Sequence, residues 1–233
     1  MFDYQLIRSD RRKTISLQVK RGRIVVRAPS FLSQQQIDLI ITKKSAWLKR
    51  KLNDTMQLPA TDEDFFVNGS SIWVNGQQKT LRIVFGKKAA IDVLNDDLLV
   101  TLSQRIEAKC LEQAYLSQQV KKYLAIWLKE QAQHYISKRL PHLSSHIDLI
   151  PISFKVRLYK ARWGSCNNRG ELSFNYLLMM TPLWVIDYVI IHELCHLKHL
   201  NHSTEFWQLV HQHCSNYKEA KSWLKHHQAQ LVW

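Results

Sequence analysis

Four histidines and one glutamate fall within the eleven-residue stretch HELCHLKHLNH, residues 192–202. His192 and His196 are four residues apart, and side chains at this spacing share one face of a helix, so both imidazoles can bind one cation. Glu193 lies beside them and can reach a water on that cation without being a ligand itself. Zinc hydrolases use this arrangement: two histidines hold the ion, and the carboxylate takes a proton from the water.

A third ligand is needed, because catalytic zinc usually has three protein ligands and one open position. His202 lies six residues after His196. If the helix ends near His199 or Leu200, the chain can turn back and bring His202 to the same ion. Asn201 suits that turn because asparagine tolerates the left-handed conformation. His199 lies on a neighbouring face, which leaves His202 the better third ligand.

The surrounding sequence argues against a chance cluster of histidines. With this chain's own composition, HExxH followed by the further histidine arises by accident in on the order of 0.1% of such sequences. The preceding turns, WVIDYVII, are apolar almost all round, which predicts a central, buried helix. A buried helix does not carry these polar groups without partners. We therefore predict a catalytic metal centre, with a structural metal as the alternative. Zinc is the expected ion, and nickel, cobalt or iron also suit three histidines.

The elements that must position this centre follow from the periodicity of residues 104–233. The pattern predicts, in chain order, helix 107–140, strand 152–163, loop 164–171 and strand 172–180. Pro141 is predicted to end the long helix. Thr181 is the predicted N-cap of the helix that carries the motif, and Pro182 its first residue.

The first hundred residues read as a β-rich module. Alternating segments 4–9 and 13–29 predict antiparallel strands with a turn at Arg21-Gly22. Ser33 and Gln36 form a capping box that opens one helix. Two further β segments are predicted over 71–86 and 89–103, with bends at Asn-Gly and Asn-Asp-Asp. The predicted fold class is α+β, with an N-terminal module of residues 1–103 before a catalytic half of residues 104–233.

The net charge is +14, and it is unevenly placed. Residues 1–51 hold thirteen Lys and Arg against three Asp, a surplus of +10. Such a surplus attracts nucleic acid, anionic membrane surfaces or anionic small molecules. The alternative is a solvated basic surface that only favours solubility. Residues 8–51 are therefore a possible nucleic-acid-binding region, although no aromatic RNA-binding motif accompanies them.

The location of the protein is predicted from three absences in the sequence. The N-terminus has no apolar signal segment, and the longest apolar run is too short to span a bilayer. The four cysteines are widely spaced and contain no CxxC pair. These features predict a cytoplasmic protein with reduced thiols and no membrane association.

Several segments together resemble the YgjP-like metallopeptidase domain, a relative of the SprT-like and WLM zinc peptidases among the zincins. The segments are RWGSC from Arg162, FNYLL downstream, PLWVIDYVIIHELCHLKHLNHSTEFW, and the basic RRKTISLQV near the N-terminus. The resemblance implies a zincin-like catalytic half, zinc ligands His192, His196 and His202, and Glu193 as general base. Metzincins share the ligand spacing but place Gly where this chain has His199, so the closer kinship is rejected.

Other residues near the motif have alternative roles. Arg162 can stabilise a developing oxyanion, or it can stack on Trp163 as a structural residue. Asn175 and Tyr188 either face the cleft or satisfy buried backbone groups. Cys195 points away from the histidine face, which favours a small core residue over a metal ligand.

The segment after the motif is predicted to support it. Ser203 is the predicted cap of the next helix, and Phe206 and Trp207 are predicted to pack that helix beneath the metal centre. Four histidines after the motif, 211, 213, 226 and 227, are predicted to be solvated helix positions.

The sequence leaves the substrate open. A metal-activated water can attack a peptide carbonyl, which makes the protein a metallopeptidase acting on peptides or proteins. It can also attack a phosphoanhydride, and four basic residues before the motif could bind the phosphates: Arg157, Lys160, Arg162 and Arg169. Against this nucleotide hydrolase stand the absence of a P-loop and of a carboxylate cluster for Mg²⁺. A third possibility is a protease recruited by nucleic acid, or a binding protein.

Overall fold

A computed structural model of the chain describes residues 2–20, 23–56 and 66–231. Helices and mixed sheets are both present, which confirms the α+β class. The chain divides into two compact units, Met1–Glu63 and Asp64–Trp233. The predicted boundary at residue 103 falls inside the second unit, because strands that precede it share a core with helices that follow it.

The first unit combines a three-stranded sheet with two helices. Strands β1 (Tyr4–Ser9), β2 (Ser16–Lys20) and β3 (Arg23–Pro29) have the order β1-β3-β2. β2 and β3 are antiparallel as predicted, whereas β1 runs parallel to β3. The predicted turn at residues 21–22 lies outside the described residues.

The helical part of the first unit differs from the prediction of one helix. The Ser33–Gln36 capping box is present and opens α1 (Gln34–Lys43), but the chain turns at Lys44 and starts α2 (Ser45–Met56). Each helix contributes apolar side chains to the same small core, since Ile37 and Leu48 are both fully buried. Because the apolar face of each helix is buried in this core, two short helices are stable on either side of the turn at Lys44.

The second unit begins with a four-stranded sheet of order β4-β5-β7-β6. Its strands are β4 (Ser71–Val74), β5 (Gln77–Gly86), β6 (Ala90–Leu94) and β7 (Asp97–Ser103). The predicted Asn-Gly bend joins β4 to β5, with positive φ at both Asn75 (50°) and Gly76 (78°). β7 alternates buried and half-buried residues, so one face of the sheet is packed on the core.

A 3₁₀ helix, Gln104–Leu111, leads into the long helix α3, Gln113–Ile147. The prediction that Pro141 ends this helix is wrong, because α3 continues for two further turns to Asp148, which has φ 57°. Leu143 and Ile147 are buried in those turns, and their burial offsets the hydrogen bond that proline cannot donate.

A second small sheet follows α3 and differs from the prediction for residues 152–180. Its strands β8 (Ser153–Arg157), β9 (Gly164–Cys166) and β10 (Glu171–Asn175) have the order β8-β10-β9. Residues 164–166, predicted as loop, pair antiparallel with β10, because Asn167 closes a tight turn by accepting hydrogen bonds from the backbone of Arg169 and Glu171. Residues 176–180, predicted as strand, form a buried 3₁₀ helix.

Three helices complete the unit, and the first of them carries the HExxH motif: α4 (Leu183–Cys195), α5 (Thr204–His213) and α6 (Tyr217–His227). The N-cap of α4 is Pro182 rather than Thr181, whose hydroxyl donates to the carbonyl of Leu178. The β4–β5 turn meets the chain just before α4: the N–H of Asn75 donates to the Met179 carbonyl at 2.8 Å. Among the described helices, none has the length and apolar character needed to cross a membrane.

Candidate metal centre

Three histidines converge where α4 ends. His192 lies in the last turn of α4, His196 is its C-cap, and His202 lies in the segment before α5. One ring nitrogen from each lies within 4.8 Å of the other two. The Nε2 atoms of His192 and His202 are 3.0 Å apart. The predicted ligand set is therefore brought together in space.

The chain reaches His202 by a different route from the predicted one. α4 ends at Cys195, earlier than the predicted end near His199 or Leu200. The N–H of Leu197 donates to the Leu194 carbonyl, which tightens the last turn and redirects the chain. Asn201 is not among the described non-glycine residues with positive φ, so its predicted left-handed conformation is wrong.

His196 is oriented by a hydrogen bond that the sequence did not reveal. Its Nδ1 lies 2.9 Å from the backbone carbonyl of His199. A carbonyl only accepts, so Nδ1 carries the proton and the lone pair is on Nε2. Metal-binding histidines usually donate their second ring nitrogen to such an acceptor, which fixes the tautomer and the ring. The pattern of side chains gives no signal for this contact, because its acceptor is a backbone atom.

The three imidazoles fit a zinc ion. Two nitrogens bound to one tetrahedral zinc are roughly 3.4 Å apart, close to the observed separation between His192 and His202. Burial, followed by the charges of His196, His202 and Lys221, lowers the pKa of His192 to about 3, so this ring is neutral. Burial also lowers the pKa of His202. Neutral rings have the free lone pairs that a metal needs, and an all-nitrogen donor set suits zinc and related transition metals.

Aromatic side chains from α5 hold the three rings in place. The Phe206 ring lies 4.9 Å from that of His192, 4.5 Å from that of His196 and 4.9 Å from that of His202, measured between centroids. Trp207 stacks on His202 at 5.5 Å. The predicted cap of α5 is present, since Ser203 Oγ accepts from the Phe206 N–H. The predicted packing of this helix beneath the centre is confirmed.

Glu193 is a buried carboxyl group beside the histidines. It is 5% exposed, and no hydrogen bond to its carboxylate is present within the described residues. Burial raises the pKa of Glu193 to about 8, and the positive charge of Arg162 opposes that shift. A carboxylate in such surroundings is more basic than one in water, which suits proton transfer near neutral pH.

Glu193 packs directly against the backbone of β9. A Cβ atom built on Gly164 would lie 2.5 Å from Glu193 Oε1 and 2.7 Å from its Cγ. The side chain of Glu193 is buried and has little room to move, so glycine is required by close approach rather than by a left-handed backbone. The sequence contained this glycine within RWGSC but gave no indication of its neighbour.

Gly164→Ala is expected to lower kcat at least tenfold, because the added methyl group displaces the Glu193 carboxylate from its place beside the histidines. The measurement is the steady-state rate of peptide hydrolysis by the variant, divided by the amount of metal bound in the same sample. The control is Gly69→Ala, since a Cβ on Gly69 meets no atom within 4 Å, although its φ of 87° makes that change strained. Full activity in Gly164→Ala would contradict the steric requirement.

The structure separates the remaining candidates. Arg162 lines the cavity over the histidines. Its guanidinium lies 5.5 Å from the centroid of the Tyr159 ring, so Arg162 packs on Tyr159 and not on Trp163 as the structural alternative predicted. Tyr188 also lines the cavity, with its hydroxyl 3.5 Å from His192 Nδ1. Asn175 satisfies buried backbone: its Nδ2 donates to the Arg162 carbonyl at 3.2 Å.

The cysteines lie outside the ligand set. Cys195 is fully buried, as expected for a small core residue. Cys166 is half-buried in the cavity wall, and its thiol donates to the Asn167 carbonyl. Burial raises the pKa of both thiols, so they stay protonated. All four cysteines are free, as predicted.

The cavity above the histidines has a volume of about 400 Å³. Its lining comes from β9, from α4 and its C-cap His196, from residues 200 and 202, and from Leu224 of α6. β9 is an edge strand, so its outer backbone groups face away from β10. The three histidines and the Glu193 carboxyl group therefore line one cavity.

A comparison of the sequence with models of protein families shows which family the chain belongs to. The model of the YgjP-like metallopeptidase domain matches residues 13–227. The chain belongs to this family. The match includes residues of both units, so the resemblance noted in the sequence is confirmed across almost the whole chain. Membership of the YgjP-like metallopeptidase family supports a metal-dependent peptidase.

Other comparisons contribute less. The crystal structure of the metallopeptidase zymogen of Pyrococcus abyssi abylysin is 21% identical in sequence, with a TM-score of 0.35, over 38% of this chain and 90% of that chain. No curated protein matches the chain.

Proposed function

We propose that the protein is a zinc-dependent peptidase in which His192, His196 and His202 hold the ion and Glu193 is the general base. The observation that carries this proposal is the convergence of three imidazole nitrogens within 4.8 Å beside a buried carboxyl group. Membership of a metallopeptidase family supports peptide as the substrate. Other divalent transition metals fit the same three nitrogens.

The chain's own residues supply proton transfer and positioning. When bound, zinc supplies Lewis acidity, polarising a carbonyl oxygen and lowering the pKa of water toward neutrality. Glu193 accepts the proton of the attacking water and delivers it to the departing amine nitrogen. Gly164 and the core around α4 keep that carboxyl group beside the cavity. Arg162 lies at the cavity wall, where its charge can stabilise the negative carbonyl oxygen.

Nucleotide hydrolysis has less support. Of the four basic residues considered for phosphate binding, all of which the structure describes, Arg162 alone lines the cavity. Arg157 donates to the Tyr159 hydroxyl and lies over its ring. Within the cavity itself a phosphate chain bound at the histidines would therefore meet the guanidinium of Arg162 alone, which favours the peptide carbonyl as the electrophile.

Metal removal tests the proposal. We expect a chelator to abolish cleavage of unstructured protein substrates, and one equivalent of zinc to restore it, because neutral imidazoles rebind the ion. A panel of nucleoside triphosphates is assayed beside the proteins, with metal content measured in every sample. Chelator-sensitive release of phosphate without peptide cleavage would contradict the peptidase assignment.

Nucleic-acid binding by the first unit is a separate proposal. Several basic side chains of this unit are exposed: Arg8, Arg11, Lys13, Lys43, Lys44, Lys49 and Arg50. We expect binding to DNA or RNA that weakens steeply with salt and persists in Glu193→Gln, because phosphate contacts depend on surface charge alone. Fluorescence anisotropy over a salt series measures it. Absence of binding below 100 mM salt would contradict recruitment by nucleic acid.

A further inference from the structure

A second groove adjoins the metal cavity and is lined mainly by α6. It has a volume of about 490 Å³ and is bounded by Trp163 and by one side of the helix, from Lys218 to Gln228. Trp163 and Leu224 line both this groove and the cavity above the histidines. The groove and the cavity are therefore neighbours on the two sides of these shared residues.

The groove is strongly basic. Lys218, Lys221 and Lys225 all line it, at spacings of three and four residues that place them along one side of α6. His226 lines it too, and no carboxylate is among the lining residues. Glu219, in the same helix, is not part of the lining. Within the described chain, none of the three lysines forms a salt bridge.

The stability of α6 accounts for only part of this charge pattern. A cation near the end of a helix complements the helix dipole, which explains Lys225. Lys218 lies in the first turn, where a cation opposes the dipole and an acidic residue would be favoured. Lys221 lies over the Trp207 ring at 3.9 Å, and Trp207 stacks on His202. The Lys221 ammonium thus lies on the ring that stacks against His202.

We propose that this basic groove, formed by Trp163, Lys218, Lys221 and Lys225, is a substrate subsite that binds a carboxylate of the peptide. The inference rests on the proposed function, because a peptide lying across the histidines is the ligand that would span both cavities. The anionic groups of peptides are Asp and Glu side chains and the chain terminus. Lysine ammonium groups attract either source as point charges, and Trp163 offers an apolar surface to the methylene groups beside it.

The test compares four forms of one fluorogenic peptide that the wild-type protein cleaves. The residues flanking the cleaved bond are Glu or Gln, and the carboxyl terminus is free or amidated. At low salt we expect kcat/KM to be about tenfold higher for the forms that carry a carboxylate at the bound position than for the amidated Gln form. This difference in kcat/KM should decrease as added salt screens the charges. The Glu arm and the terminal arm show which carboxylate the groove binds.

The double variant Lys218→Gln with Lys225→Gln is expected to reduce the tenfold preference to about twofold. The readout is the ratio of kcat/KM between acidic and neutral peptides, which a general loss of folding or of metal does not change. Lys122→Gln with Lys129→Gln removes the same charge from exposed positions on α3 and should keep the preference.

Equal rates for acidic and neutral peptides, with cleavage still dependent on Glu193, would overturn the subsite and leave the proposed function intact. If no peptide is cleaved, binding of the four labelled peptides to Glu193→Gln decides the matter. Preference for the acidic forms, lost in the lysine variant, would then support the groove and contradict the peptidase. Displacement by tripolyphosphate with no preference among the peptides would overturn the carboxylate assignment.

Discussion

Glu193→Gln is expected to lower kcat for peptide hydrolysis by 10²–10⁴-fold, the range typical of a lost general base. The amide has nearly the shape of the carboxyl group and so keeps the packing against Gly164. It cannot accept a proton from water. Since Glu193 is outside the three-histidine cluster, bound zinc should remain at one per chain. Steady-state rates and metal analysis on the same preparation measure both quantities.

Glu130→Gln is the matched control, because it makes the same change at an exposed position of α3. It should retain wild-type kcat. Equal loss in both variants would indicate a general effect of charge, and a Glu193→Gln variant with full peptidase activity would contradict the role of Glu193 as base.

Phe206→Ala is expected to lower the free energy of unfolding by about 3–5 kcal/mol, as is typical when a buried aromatic ring is removed. Phe206 is fully buried and contacts all three imidazoles. Its loss leaves a cavity beneath the metal centre, so the rings gain freedom and zinc affinity should fall as well. Urea unfolding and zinc titration measure the two effects separately.

The unfolding measurement is made with and without chelator, because bound metal stabilises the folded state through its own affinity. Leu111→Ala is the control for a large-to-small change, since that side chain is 89% exposed. Its unfolding free energy should change little. A Phe206→Ala protein with unaltered stability and zinc affinity would show that the aromatic support is dispensable.

The sequence predicted the parts of the centre that depend on local periodicity. The spacing of His192 and His196 follows from helix geometry, and the apolar turns before them predicted the buried helix that the structure contains. The Ser203 cap and the aromatic residues after it were predicted by the same local rules. The Asn75-Gly76 turn was predicted because its two residues need positive φ, which Asn and Gly adopt more readily than other residues.

The parts that were missed depend on partners distant in sequence or on backbone atoms. Gly164 was placed in a loop because three residues carry too little pattern to predict a strand that exists by pairing with β10. Pro141 was taken as a helix end because the burial of Leu143 and Ile147 cannot be read from local preference. The hydrogen-bond acceptor for His196 Nδ1 is a backbone carbonyl, and every residue has one, so the residue types do not indicate this contact.

The turn between β4 and β5 also bears on the order in which the second unit folds. It joins Asn75 and Gly76 to the backbone of Met179 and Met180, and a Cβ on Gly76 would lie 2.4 Å from the Pro182 ring. These partners are about a hundred residues apart, so the contact forms only after a long segment has closed. A partly folded chain therefore lacks these contacts to the segment just before α4, so the position of that helix is set late in folding.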